Sequence, residues 1–517
     1  MITDVLLIAA PVVVVLSVAA FWQWTRLSTR RSSTPGTALP AAAACVLDRI
    51  VQPLLQAHLP GESAAVLLSD PVAAFGARLH TARVAGRSID VQYYVWHHDS
   101  TGQLLERELR GAADRGVRVR MLVDDMNVAG KDSSLLALDA HPRIEVRLFN
   151  PTRSRGLLRL PEFALHLVRL NRRMHNKAWI VDNRVAIVGG RNIGDEYFGA
   201  APDTNFQDTD LLLIGPAVAG ASAIFDAFWN APSTIPVRLL HRARDRLACI
   251  ATHDRLRMHP DGRFIARTHA IAARNQFIDE FAAGAVHLHW SASLRVLSDP
   301  PEKAATPDRA RDRPGWLLYD INALLYSARH ESLMIAPYFV PGVNGTLLLT
   351  GQVRRGMHVG VLTNSLAATD VTLVHAGYFK YRRRLLEHGV QLHELRPERR
   401  DTRHRTLGSR GASLHSKAFV IDGRRGFVGS FNLDPRSARL NTEMGVVFDD
   451  AGLAAELTDF FTAGTQPKTA WEVMLTGAGA LRWHGYGGEV WKHEPETPTR
   501  LRFLVRLLCL LPLESQL

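Results

Sequence analysis

Cysteine is scarce: Cys45, Cys249 and Cys509 are the only three in 517 residues, and they lie far apart. With no CxxC pair, neither a thiolate zinc site nor a disulfide framework is indicated. Acidic surplus is missing too, because 62 Lys and Arg face 50 Asp and Glu, a net charge of +12. That balance suits an anionic partner such as a membrane surface, a nucleic acid or a phosphorylated substrate, without fixing any chemistry. Carboxylates spaced to hold two divalent ions are lacking as well, so no metal and no other cofactor is expected. The apolar fraction of 46% excludes a wholly disordered or fibrous chain. The length allows about two to four domains.

Charge itself is absent from one stretch, Val5–Thr25. As a helix these residues would rise about 31 Å, enough to cross a bilayer core. Trp22 and Trp24 fall where an interfacial belt would lie, and Arg26, Arg30 and Arg31 follow. A cleaved signal peptide is the alternative, but it needs positive charge before its apolar core, and MITD supplies only Asp4 and the free amine. The expectation is a retained transmembrane helix in an inner (cytoplasmic) membrane, with the main body on the cytoplasmic side by the positive-inside bias.

The remainder reads as a duplication. Ser88–Trp96 alternates like a strand, a helical pattern ends at Gly116, and VRVRMLVDD follows as a second strand. The same order returns at SLMIAPYFVP and MHVGVLTNS. At an offset of 240, Arg115-Gly116-Val117 falls on Arg355-Gly356-Met357, and His175, Lys177 and Asp182 fall on His415, Lys417 and Asp422. The expected fold class is α/β: two homologous lobes, each with a mixed, largely parallel sheet, because strand–helix–strand units need crossovers. The segments expected are a transmembrane anchor at 1–30, a linker at 31–44, lobe one at 45–240, a charged connecting segment at 241–309, lobe two at 310–470 and a membrane-proximal segment at 471–517.

The chemistry gathers in Met174-His175-Asn176-Lys177 and Leu414-His415-Ser416-Lys417. On a strand, His and Lys at i and i+2 share a face. Two lobes related by an approximate two-fold would bring both pairs into one cleft. Four such groups tolerate one another when an anion sits among them or acidic groups flank them. Phosphate fits: lysine is a compact point charge, one neutral imidazole can attack phosphorus, and a protonated one can deliver a proton to the leaving alkoxide.

HxKxxxxD occurs twice, each copy followed by a G-G/S-x-N element: Gly189-Gly190-Arg191-Asn192 and Gly429-Ser430-Phe431-Asn432. In these motifs the chain resembles the phospholipase D superfamily. GGRNIGDEYF, IAPYFVPG, TNSLAATDVTLVHAGY and the terminal LLCLLPLESQL narrow the resemblance to bacterial cardiolipin synthases, most like the C-type branch. The resemblance implies a catalytic set of His175, Lys177, Asn192, His415, Lys417 and Asn432, with Asp182 and Asp422 structural. It implies an acidic residue behind each His. Glu443 matches behind His415, 28 positions on, and Asp210 is the match for His175, seven residues beyond that spacing. The closer Glu443 match favours His415 as proton carrier and His175 as nucleophile.

The implied reaction transfers a phosphatidyl group to phosphatidylglycerol through a covalent phosphohistidine, from phosphatidylethanolamine or a second phosphatidylglycerol. Hydrolytic phospholipase D is the alternative, and a superfamily phosphodiesterase or nuclease is less favoured. Implied partners are membrane phospholipids and a small companion membrane protein. No nucleic acid is expected, since the arginines are scattered apart from 241–270 and Arg382–Arg384. The oligomeric state is left open.

Smaller features carry weaker expectations. Tyr93 and Tyr338 occupy corresponding strand ends and line either the cleft or the core. Asp124 and Asp125 read as turn caps. Asp370 and His375 sit in a loop that the resemblance places at the cleft border. Leu501–Leu511 is too short to span a bilayer and has the pattern of a helix lying in an interface, with docking on the protein body as the alternative.

Overall fold

The structure, a computed structural model, describes residues 16–23, 25, 34–42, 45–128, 130–202, 204–241, 280–281, 283–304, 315–397, 413–511 and 514–516. The first half of the chain supplies β1 (Ser63–Leu68), β2 (Ser88–Tyr93), β3 (Arg118–Asp124), β4 (Ile144–Phe149), β5 (Ala178–Val181), β6 (Val185–Gly189), β7 (Phe206–Gln207), β8 (Asp210–Ile214), β9 (Thr234–Pro236) and β10 (His289–Ser291). All but β7 join one sheet in the order β10-β1-β8-β6-β5-β2-β3-β4-β9.

The second half repeats the plan with β11 (Arg295–Ser298), β12 (Glu331–Ile335), β13 (His358–Asn364), β14 (Gln391–Leu395), β15 (Ser413–Leu414), β16 (Lys417–Ile421), β17 (Arg425–Gly429), β18 (Met444–Asp449), β19 (Ala470–Leu475), β20 (Leu481–His484) and β21 (Val490–Trp491). Its sheet runs β11-β18-β17-β16-β12-β13-β14-β19-β20-β21. The short strands β7 and β15 pair with each other across the lobes.

The expectation of largely parallel sheets is corrected: both sheets are mixed and mostly antiparallel. Within these two sheets parallel pairing is confined to β2-β3-β4 and β12-β13-β14, where helices cross over. The strand–helix–strand pattern predicts that part. The remainder is antiparallel because β5–β6 and β16–β17 are hairpins closed by turns too short for a crossover. In those turns Asp182 and Asp422 sit at left-handed φ of 54°. Asp182 accepts hydrogen bonds from the backbone N–H groups of Gly86, Arg87 and Ser88. Asp422 does the same for Arg329, His330 and Glu331. Each motif aspartate therefore ties its hairpin to the start of the neighbouring strand.

Strands at the centre are apolar on both faces because they serve two cores. On β5, Ala178 and Ile180 enter a central core with Val420, Val428 and Val446 of the other lobe. Trp179 and Val181 enter the outer core of lobe one. Helices α1 (Pro216–Trp229) and α2 (Ala451–Gly464) pack into the central layer. In lobe two, α3 (Leu317–Tyr326), α4 (Gly342–Arg354) and α5 (Thr372–Glu387) cover the outer face, and α6 (Thr499–Leu508) packs on α5.

The expected transmembrane anchor is also corrected. Residues 1–15 of the apolar run lie outside the described residues. Leu16–Gln23 and Thr25 are helical, and the end of that helix turns onto the body. Thr25 is buried, with its Oγ1 2.7 Å from His166 Nε2, and Trp22 stacks on the same ring. No helix among the described residues is long and apolar enough to cross a membrane. The inner-membrane placement that rested on such a span is therefore not carried forward. The charged stretch 242–279 also lies outside the described residues. Farther along the connecting segment, β10 and β11 give one edge strand to each sheet.

Replacing Asp182 by Ala removes the acceptor of three backbone N–H groups. Denaturant unfolding should show a loss of about 1–3 kcal/mol or more, set by the cost of unsatisfied buried donors. Asp182→Asn, which keeps one acceptor oxygen and tolerates the turn, should lose less.

Candidate active site

His175 and His415 sit just before β5 and β16, and each is held by backbone of the other lobe. His175 N–H donates to Thr442 O at 2.8 Å, and Thr442 N–H donates back to Arg173 O at 2.9 Å. On the other side, His415 N–H donates to Gln207 O at 2.8 Å, where β15 runs parallel to β7. Side chains repeat the crossing. Thr442 Oγ1 donates to Asn176 Oδ1 at 2.8 Å, and Thr209 and Ser416 share a hydroxyl–hydroxyl bond of 2.5 Å. Asp124 secures the approach to His175, accepting from Arg173 Nε and from Met174 N–H. Asn364 occupies the equivalent place at Leu414, bonding both its N–H and its carbonyl.

The carboxylates cross over as well. His175 Nδ1 lies 2.7 Å from Glu443 Oε2, and His415 Nδ1 lies 2.5 Å from Asp208 Oδ2. The expected assignment, Glu443 behind His415 and Asp210 behind His175, is corrected on both counts. Asp210 pairs instead with buried Arg78 at 2.8 Å and Arg191 at 3.4 Å. Strand register explains the difference. Gly189 pairs with Asp210 as Gly429 pairs with Gly445, so Glu443 corresponds to Asp208. Gly190 fits this arrangement, because a Cβ there would lie 2.2 Å from Asp208 Oδ1. In lobe two the same place holds Ser430, whose hydroxyl donates to Glu443 Oε2, while Ser437 Oγ donates to Oε1.

Lys177 and Lys417 are buried beside the imidazoles. Lys177 Nζ donates to His175 O at 2.7 Å, while Lys417 Nζ donates to His415 O and lies 2.9 Å from His415 Nδ1. Asn192 and Asn432 are buried at the strand ends. Asn192 Nδ2 donates to Tyr197 OH, while Asn432 Oδ1 has no hydrogen-bond partner among the described residues. Tyr94 meets His175 edge-on at 5.1 Å, and Tyr197 meets His415 at 5.2 Å. Tyr93 points into the core against Arg78, so of the two adjacent tyrosines it is Tyr94 that faces the site. Tyr338 does border it, 6.5 Å from the His415 ring and bonded to Asp370. Asp125 binds Arg155 and Thr152, as a structural cap does. His375 is buried against Tyr378.

Burial dominates the electrostatics. It pushes His175 down to about 4 against the pull of Glu443, and His415 well below its usual value, with Lys417 and Lys177 adding repulsion. Burial also drives Lys177 far below the usual ammonium range, and Lys417 down to about 8 despite Asp208 and Glu443. Asp208 is raised by burial, whereas His175, Lys177 and Ser430 outweigh burial and hold Glu443 ionised. Burial thus disfavours the protonated imidazoles and ammoniums, the two carboxylates offset this only in part, and a bound phosphodiester anion would favour the protonated forms further.

Comparison with known proteins gives the family. A family model described as "Cardiolipin synthase, PLD-like domain" matches residues 78–229 and 321–464, more than half of the chain. Cardiolipin synthase C of Escherichia coli K12 is 42% identical over 487 residues, covering 92% of this chain and 99% of that protein. Cardiolipin synthase A of Pseudomonas syringae is 25% identical over 392 residues, 75% of this chain and 66% of that protein. The crystal structure of a phosphatidylserine synthase from Haemophilus influenzae shares the fold. Its TM-score is 0.58 at 14% identity, over 91% of this chain and all of that one.

A pH dependence of stability follows. Both imidazoles titrate lower in the fold than the ordinary 6.5, so the unfolded chain takes up their protons first. The stability they contribute is present above pH 6.5 and is lost as pH falls towards about 4. Chemical unfolding between pH 7 and 4.5 should show this fall in the unliganded protein. The double variant His175→Ala/His415→Ala should show a shallower one.

Proposed function

The chain belongs to the phospholipase D superfamily, among the enzymes related to bacterial cardiolipin synthases, and we propose that it transfers a phosphatidyl group onto phosphatidylglycerol through a covalent phosphohistidine. The observation that supports this most is the crossed pairing His175–Glu443 and His415–Asp208, which makes one site from two lobes. Each carboxylate accepts the Nδ1–H of its imidazole, so Nε2 is the nitrogen turned to the chemistry.

In the reaction we assign, the donor diester lies between Lys177 and Lys417, with Asn192 and Asn432 beside its oxygens. Its negative charge relieves the repulsion among the cations and lets His415 take up a proton. His175 Nε2, oriented by ionised Glu443, attacks phosphorus. The bond to the donor alcohol breaks, and His415 Nε2–H protonates the departing alkoxide. A phosphatidylglycerol hydroxyl then gives its proton to His415 and attacks the phosphohistidine. Cardiolipin forms and His175 is released. The lysines stabilise charge on the phosphoryl oxygens throughout. The donor is phosphatidylethanolamine or a second phosphatidylglycerol, and the free alcohol reports which: ethanolamine or glycerol. Water in place of the acceptor hydroxyl gives the hydrolytic alternative.

Purified protein in detergent, given labelled phosphatidylglycerol with or without phosphatidylethanolamine, should form cardiolipin and release one of those alcohols. Activity should persist in EDTA. Phosphatidic acid as the sole labelled product would replace transfer by hydrolysis.

Nucleophile and acid are separated with a phospholipid carrying an activated leaving group. Each single His→Ala variant should lose at least about 100-fold in turnover of ordinary lipid, the usual scale for acid–base catalysis. On the activated lipid, quenched His415→Ala should hold a phosphatidyl adduct on His175, found by peptide mass spectrometry. An adduct on His415 in His175→Ala, with none in His415→Ala, would reverse the assignment.

A further inference from the structure

Residues 365–371 lead from the end of β13 into α5. They start at the site, because Asn364, the last residue of β13, is the one that bonds Leu414 beside His415. The loop stays close to that strand end: Ala368 and Thr369 N–H both donate to Ser365 O, at 3.1 and 2.9 Å. Ser365, Leu366, Ala368 and Thr369 are buried, whereas Asp370 is exposed. Its Oδ2 accepts a hydrogen bond from Tyr338 OH at 2.7 Å. The Tyr338 ring lies 6.5 Å from the His415 ring, edge to face. Among the described residues no other group bonds the Asp370 carboxylate, and no Lys, Arg or His pairs with it.

A carboxylate here works against a site built for a phosphodiester. Asp370 bears electrostatically on His415, Lys417 and Tyr197, so its charge is felt beside the phosphate position. It repels an anionic ligand that brings no positive charge of its own. A zwitterionic diester reverses the sign, with its phosphate at Lys177 and Lys417 and its ammonium at Asp370. The side of the site agrees. His415 is the imidazole assigned to protonate the departing alcohol, so the donor's head group lies towards His415. In an aminoethyl ester the ammonium is two carbons from the oxygen that takes this proton. The near-symmetry of the lobes is broken at this point: at the offset of 240 residues Asn364 falls on Asp124, but Asp370 falls on Gly130.

We infer that Asp370, held by Tyr338 at the rim beside His415, selects the donor lipid by pairing with a primary ammonium two carbons from the phosphate. Phosphatidylethanolamine is then the donor and phosphatidylglycerol the acceptor. The inference rests on the phosphatidyl-transfer reading for the side of phosphorus on which the head group lies, and it chooses between the two donors that reading leaves open. Asp370 makes and breaks no bond. It touches the part of the lipid that leaves as ethanolamine.

The test begins with binding, which needs no turnover. Short-chain phosphatidylethanolamine and phosphatidylglycerol, below their micelle concentrations, are titrated calorimetrically into the whole protein. Phosphatidylethanolamine should bind more tightly. Asp370→Asn should lower that preference about tenfold, the scale of one hydrogen bond to a charged group. Asp370→Glu should recover most of the loss, and Asp370→Lys should reverse the order of the two lipids. With both labelled lipids in mixed micelles, the ratio of ethanolamine to glycerol released should fall by the same factor in Asp370→Asn. Should that variant fail to fold, the unaltered protein carries the test: a head group of equal length with hydroxyl in place of ammonium should bind about tenfold more weakly than phosphatidylethanolamine. Equal binding of those two, phosphatidylethanolamine held no more tightly than phosphatidylglycerol, or a preference unmoved in folded Asp370→Asn would each overturn the proposal. So would a loss in Asp370→Asn confined to phosphatidylglycerol, which would make the carboxylate a partner of glycerol hydroxyls. Cardiolipin formed with release of glycerol alone would sink the role of Asp370 and leave transfer standing. Ethanolamine released with phosphatidic acid as the sole lipid product would sink transfer and leave the role of Asp370 standing.

Discussion

Everything at the candidate site depends on two short contacts that cross from lobe to lobe, His175 to Glu443 and His415 to Asp208. Neither lobe has a complete pair of its own. A buried imidazole separated from its carboxylate would leave a polar group without a partner, at a cost of about 1–3 kcal/mol or more. Lobe association is thereby tied to the integrity of the site. The backbone supports the same arrangement, since the residue at each His accepts a register set by the other lobe's acidic segment. Duplication of one α/β unit thus produces a single centre rather than two.

That centre resists protonation. Burial disfavours protonated His175, His415 and Lys177, and the two carboxylates offset this only in part. In the proposed reaction an arriving phosphodiester would raise the proton affinity of the imidazole assigned as acid, which would link binding to activation. The asymmetry between the lobes is small and chemical. Glu443 has Ser430 and Ser437 as donors, whereas Asp208 sits against Gly190, where no side chain would fit. A longer acid with hydroxyl support faces a shorter acid packed on backbone, and this gives the two histidines different surroundings within near-symmetry.

The surroundings of lobe two are equally unequal to those of lobe one. Strands β19 to β21, drawn from residues placed near a membrane on sequence grounds, extend the second sheet. Helix α6 docks Val505 against Leu366 and Ala376 while leaving Phe503, Leu504 and Leu507 exposed. Of the two readings of that helix from its sequence, docking on the body is what one face shows, and the other face leaves apolar side chains at the surface.

Sequence alone determined the duplication, the His–Lys–Asn sets and the family. These rest on spacing within a strand and on a register of 240 residues, and local period and repeat survive in one dimension. It also located the motif aspartates in structural roles, which their bonds to three successive N–H groups explain. Tertiary structure alone decided which acid serves which histidine, because that pairing joins residues more than 200 positions apart through strand register. The same holds for the strand direction of each sheet, where hairpin turns outweighed the βαβ signal. It holds for Tyr94 over Tyr93 too, since a one-residue difference in a strand selects opposite faces. The apolar N-terminal run shows the converse limit. Hydropathy marks the segment as apolar, yet of its described part only Thr25 is buried, against His166, while Leu16, Val18 and Trp22 stay exposed.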